Sequence, residues 1–160
     1  MDLPKIWHSG ENLVSPPDVL SQLILKKRAA AAGLENCDKI FVGCDSKYFK
    51  EYVLYAYAIC FRGPMGINYF WSREKKRGQG RDLYSRIWGE VERAVSVSNW
   101  INENIEKINI EVHADINSNP IYASNLYNKA ASGYIIGCGY SYRCKPEAWA
   151  ATSVADWYTR

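Results

Sequence analysis

No stretch of this 160-residue sequence is apolar for long enough to cross a bilayer as a helix. The amino-terminal residues also lack the apolar core of a secretory leader, so a cytoplasmic protein with no membrane partner is expected. Cysteine spacing excludes more. The five cysteines (Cys37, Cys44, Cys60, Cys138 and Cys144) include no CxxC pair, and an odd count of thiols fits a reducing compartment. There are two histidines, neither at zinc-ligand spacing from a cysteine, which argues against a zinc or thiol enzyme. Charge of one sign is scarce: 20 basic against 17 acidic residues leave +3, too little to attract a polyanion through bulk charge. A nucleic-acid contact therefore has to come from a local patch. Internal repeats and low-complexity linkers are absent. Hydrophobic residues at 48% and aromatics at 14% suffice for a buried core. Residues 1–160 are expected to form one domain, with 1–37 as an amino-terminal extension carrying one helix.

What is present is periodic. Over 108–117, Ile108, Ile110, Val112 and Ala114 alternate with Asn109, Glu111, His113 and Asp115, so the two sets fall on opposite faces of a strand. Turn residues 117–120 end that strand and put Asp115 at its exit, where open α/β sheets hold their ligands. A second apolar run, 40–44, also ends in an acid, Asp45, followed by Ser46. If the two strands are parallel neighbours, the two aspartates share one site. His113, on the face of Asp115, reads either as a contact to substrate or proton shuttle, or as a packed, hydrogen-bonded histidine. A third acid interrupts the longest helix, 82 to about 104. Its inward stripe of Leu83, Ile87, Ala94, Val97, Ile101 and Ile105 contains Glu90, whereas Glu92 is rotated about 200° from it. A carboxylate aimed at a sheet is costly unless it is paired (Arg86 is one candidate), protonated or bound to a cation.

The remaining elements follow from turn and cap signals. Residues 1–14 read as irregular, and Ser15-Pro16-Pro17-Asp18 starts a helix over 19–32 that stops at Gly33, with Leu20, Leu23, Ile24 and Lys27 as its stripe. Strands are expected at 39–44, 52–62 and 67–73, the last two forming a hairpin about 63–66. The segment 73–81 reads as a flexible basic loop whose Lys75, Lys76 and Arg77 can neutralise phosphates. A helix from near 118 or 120 to about 136 then carries Ala123, Leu126, Tyr127, Ala130, Ala131 and Tyr134 on its apolar stripe. A strand at 140–145 and a last helix at 148–158, opened by Pro146, complete the chain. Asp156 shares a face of that helix with Trp149, Thr152 and Ser153.

This element order, with acids at Asp45, Glu90, Asp115 and Asp156, resembles the ribonuclease H-like superfamily. The segments VGCDS (42–46), RDLYSRIWGEVE (81–92), VHADIN (112–117) and KPEAWAATSVADWYTR (145–160) resemble, within it, the YkuK-like family of small bacterial and phage proteins. The resemblance implies an α/β fold: a mixed five-stranded sheet of order 3-2-1-4-5, strand 2 antiparallel, flanked by helices and preceded by an N-terminal helix. It also implies that Asp45, Glu90, Asp115 and Asp156 are metal ligands and catalytic residues around one or two Mg2+ or Mn2+ ions, hard cations that oxygen donors select. Asp45 would bridge two ions, Glu90 and Asp115 would complete one, and Asp156 would help hold the other. Ser46, Lys75, Lys76, Arg77, His113 and Lys145 are the candidate substrate contacts. The function implied is a metal-dependent nuclease acting on RNA or DNA. The alternative is a non-catalytic ribonuclease H-like module that binds nucleic acid or protein. One departure is plain: the glycine that often follows the first aspartate in ribonuclease H enzymes is replaced by Ser46.

Overall fold

The elements run in chain order as β1 (Trp7–Ser9), β2 (Asn12–Val14), α1 (Pro16–Ala31), β3 (Lys39–Phe49), β4 (Tyr52–Gly63), β5 (Gly66–Arg77), α2 (Leu83–Asn104), β6 (Asn109–Asn117), a 3-10 turn (Ala123–Tyr127), α3 (Asn128–Gly137), β7 (Ser141–Lys145) and a π-helix (Ala150–Ala155). The structure is a computed structural model that describes residues 2–34, 39–78 and 80–160; Cys37, and Gln79 of the basic segment, lie outside the described residues. One mixed sheet has the order β2-β1-β5-β4-β3-β6-β7. β3, β4 and β5 form an antiparallel meander, while β6 runs parallel to β3 and β7 parallel to β6.

The sheet differs from the expected one in strand number and in order, because residues read as irregular form the hairpin β1–β2 on the β5 edge. Three-residue strands are too short for a period-two pattern to show. Tertiary contacts fix them instead: Trp7 is buried, stacked on Trp100 and edge-on to Tyr57. Ser72 Oγ donates to Ile6 O at 2.6 Å, and Trp71 Nε1 donates to Gly10 O at 3.1 Å.

α1 is capped as the sequence dictates, with Ser15 Oγ accepting the Asp18 N–H and prolines in the first turn. Its buried face is Val19, Leu23 and Lys26, one residue round from the expected stripe. α2 is capped by Asp82, which accepts from Ser85 N–H at 2.8 Å. Beyond β6 the chain makes a 3-10 turn before α3, and only Ala131 and Ile135 of α3 are buried; the expected stripe holds at Ala131 and is corrected at Leu126, which is 80% exposed. Pro146 follows a cis peptide bond in the turn before the π-helix and does not open a helical first turn.

Two apolar layers cover the sheet. Ile40, Val42 and Cys44 of β3 face a large core with Val91, Ala94 and Val97 of α2. Phe41, Ala56, Ala58 and Cys60 face a smaller one with Ala150 and Ala155 of the π-helix. Among the described residues, no helix is long and apolar enough to cross a membrane.

Candidate functional site

The condition on the two strands is met. β3 and β6 are parallel neighbours, Gly43 lies opposite His113 and Cys44 opposite Ala114, and the next residues are Asp45 and Asp115. Both aspartates sit inside their strands, short of the exits, because β3 continues to Phe49 and β6 to Asn117. β3 is extended by β4, which pairs with it as far as Phe49↔Tyr52 and leaves a two-residue turn.

Asp45 is 7% exposed. Burial pushes its carboxyl up to about 7, and the negative charges of Asp115 and Asp156 push the same way, against the Ser46 N–H and the Thr159 hydroxyl. Glu90 reaches the same place from α2 and is 8% exposed. Its carboxyl is driven well above the ordinary range, first by burial and then by the charges of Asp45 and Asp115, with Ser46 and Arg86 opposing. Ser46 Oγ donates to Glu90 Oε1 at 2.5 Å. Glu92 is only half-buried, so Glu90 is the inward acid of this helix.

Asp156 follows the π-helix, whose position over β3 has identifiable causes. A Cβ on Gly43 would lie 2.5 Å from Ala151 N and 2.6 Å from Ala150 C, so glycine here lets helix backbone rest on strand backbone. His113 Nδ1 accepts the Ala150 N–H at 3.0 Å. Trp149 packs on Phe41, and Tyr158 stacks on Trp71 with ring centroids 4.0 Å apart. Thr159 Oγ1 lies 3.2 Å from Asp45 Oδ2 and 2.9 Å from Asp156 O, so one hydroxyl links the C-terminal segment to the β3 aspartate.

The four acids feel one another, yet they do not converge to contact as expected. Among the described residues, no three acid, histidine or cysteine side chains meet closely enough to hold one ion. Asp115 is ion-paired with Lys145, and Asp156 with Arg160 Nη2 at 2.7 Å. Neither Asp45 nor Glu90 forms an ion pair among the described residues. The donor set, all carboxylate oxygens with two buried acids at its centre whose carboxyls are pushed up by burial and by like charge, fits a hard divalent cation in chemistry.

The candidate substrate contacts do not stay together. His113 is 1% exposed and has both ring nitrogens engaged: with Nδ1 accepting from Ala150, Nε2 carries the proton and donates to Glu111 Oε1 at 3.1 Å. It is the packed histidine of the two readings, and burial holds its pKa below the ordinary value. Lys145 and Ser46 are occupied by Asp115 and Glu90. The expected basic loop is mostly strand: Val53↔Lys76 and Tyr52↔Arg77 continue the β4–β5 ladder, so Lys75, Lys76 and Arg77 are not on a flexible loop. Lys76 turns to Glu74 Oε1 at 2.8 Å, whereas Lys75 and Arg77 take the opposite face.

Thr159, Arg160 and Gly43 were missed as parts of the site. Only Gly43 carried a signal, a glycine inside an apolar strand, which marks close backbone approach. No curated protein and no solved structure matches the chain. The family model described as Ribonuclease H-like matches residues 24–160, the span that contains β3, the two aspartate-bearing strands' pairing and the π-helix, and the chain therefore belongs to the ribonuclease H-like family.

Proposed function

We propose that this chain is a divalent-metal-dependent nuclease. Family membership supports a nuclease or a nucleic-acid-binding module in general, and divalent-metal use in general. The observation that carries the finer reading is Asp45: a buried acid beside two like charges, with no ion pair among the described residues. A binding module has no physical need to crowd carboxylates, because their repulsion is relieved only by protons or cations. Asp45, Glu90, Asp115 and Asp156 would hold Mg2+ or Mn2+, which when bound supply an activated water and stabilise the leaving oxygen of a phosphodiester. The chain's own residues set up that site. Ser46 orients the Glu90 carboxyl, and Thr159 shares its hydroxyl between Asp45 and the Asp156 backbone. Lys145 and Arg160 balance Asp115 and Asp156 and are the groups a cation has to displace. Within the family, the segments 42–46, 81–92, 112–117 and 145–160 support a place nearest the YkuK-like group.

Thermal melting with and without Mn2+ tests the reading. The expected result is a rise in Tm that disappears in Asp45→Asn. No rise at millimolar Mn2+ would return the chain to the non-catalytic module, a reading that the Lys145 and Arg160 pairs favour by already neutralising two of the four acids. Cleavage assays on single-stranded, duplex, hybrid and branched substrates then identify what is cut.

A further inference from the structure

Strand alternation splits the segment Arg73-Glu74-Lys75-Lys76-Arg77 between two faces of the sheet. The cross-strand rows are Asp45↔Ala56↔Arg73, Lys47↔Leu54↔Lys75 and Phe49↔Tyr52↔Arg77. Residues in one row share a face, so Arg73, Lys75, Arg77 and Lys47 stand on the Asp45 side of the sheet. All four are exposed, and none pairs with a carboxylate among the described residues. Three of them lie near aromatic rings of the same face: Lys47 at 5.9 Å from Phe49, Lys75 at 4.9 Å from Tyr52 and Arg73 at 5.1 Å from Trp71. A groove of about 420 Å3 separates this strand from the C-terminus, with Arg73 and Lys75 on one side, Arg160 on the other, and Phe49, Tyr52 and Leu54 between. Glu74 also borders it, but its carboxylate is taken by Tyr57, Arg93 and Lys76.

We propose that Arg73, Lys75 and Arg77, with Lys47 and Arg160, form a track for the phosphates of one unpaired polynucleotide strand running to Asp45. The proposal rests on the nucleic-acid reading above and gives the substrate its path. Alternate strand residues recur about every 6.8 Å, and Arg73 stands two strands, about 10 Å, from Asp45. A row of cations at that spacing follows a chain of phosphates better than a single anion. The Phe49–Tyr52 pair, stacked at 4.9 Å, offers a surface to an unpaired base, which a duplex keeps inside its own stack. A net charge of +3 is then no obstacle, because Lys47, Arg73, Lys75 and Arg77 are gathered on one face.

Fluorescence anisotropy of labelled oligothymidylate, in EDTA and over a salt series, tests this. For the triple variant Arg73→Gln/Lys75→Gln/Arg77→Gln, binding is expected to weaken by about tenfold or more. The slope of log K against log salt should become shallower by about 2, at ~0.7 per cation. Lys76→Gln, on the other face, should bind as the wild type does. The track is overturned by no binding by the wild type, by unchanged binding by a triple variant of wild-type Tm, by a Lys76→Gln loss equal to the triple's, or by duplex binding that is as tight and as sensitive. Competition by free thymidine monophosphate at matched phosphate concentration would replace the track with a nucleotide pocket. Because EDTA is present, failure of the metal reading leaves this test intact; a Mn2+ melting shift with unchanged oligonucleotide binding in the triple variant sinks the track alone.

Discussion

Arg93 and Asp45 are both buried charged groups beside the central sheet, and their surroundings differ in kind. Around Arg93, on the α2 side, each charge is answered from within the chain. Its Nε donates to Glu74 Oε2 at 2.9 Å, its Nη1 to Gly89 O at 3.1 Å, and its guanidinium lies 3.6 Å from the centre of the Tyr55 ring. Tyr57 and Lys76 complete the Glu74 carboxylate. Burial alone would raise that carboxyl, but the hydrogen bonds from Lys76, Tyr57 and Arg93 bring it below its ordinary value. On the π-helix side, among the described residues, the sheet leaves Asp45 without a cation and leaves Lys47, Arg73, Lys75 and Arg77 without an anion. Charges that hold a fold together are completed internally; charges left open on one face are available to something outside the chain.

The sharpest way to break this contrast is substitution of its two central groups. Arg93→Leu should destabilise by about 3–5 kcal/mol in urea unfolding, since it strips Glu74 and Gly89 O of a buried partner. Asp45→Asn should do the opposite in metal-free protein at pH 8. The folded carboxyl holds its proton to about pH 7, whereas the unfolded one ionises near its ordinary 3.8. Between those values unfolding releases a proton, so stability falls as pH rises from about 4 to 7 and is level above. Asp45→Asn removes this share of the slope. The gain should be on the order of a few kcal/mol at pH 8 and absent at pH 3, with Glu90 leaving a residual slope of the same sign. Urea midpoints across pH check it, and a loss of stability at pH 8 would place Asp45 with Arg93 as a structural charge.

Gly43→Ala probes the contact between β3 and the π-helix. Its Cβ has backbone atoms at 2.5–2.6 Å to displace, so a cost of about 1–3 kcal/mol is expected, with loss of any Mn2+ response because Asp156 moves with the helix. Unchanged Tm and Mn2+ response would mean that the close approach positions nothing. The smallest effect is expected on the open face: Lys75→Gln should change unfolding free energy by no more than about 0.5 kcal/mol, since it breaks no ion pair among the described residues. A larger loss would make Lys75 part of the scaffold.

How far the chain could be read depended on how local each signal was. The α2 stripe and Glu90's place on it were legible because a helix repeats within its own few turns. So was the alternation that sets Glu111, His113 and Asp115 on one side of β6. The hairpin of β1 and β2 was not, because burial of Trp7 against Trp100 holds it, a contact between distant residues. The charged end of β5 read as a loop because composition outweighed a period-two pattern, and the ladder to β4 reversed that reading. The C-terminal helix was found, but its π winding was not, since Gly43, His113 and Thr159 contribute from three places in the chain to where Asp156 sits.

By itself the sequence determined the two faces of β6 and the inward stripe of α2, because side-chain direction repeats with a period set by the local backbone. The tertiary structure alone decided that Cys44 lies opposite Ala114, that Lys75 faces the aspartates while Lys76 faces Glu74, and that His113 is buried beneath the π-helix. Those outcomes depend on pairing register and on which surfaces are removed from water, and both are set by partners far away along the chain.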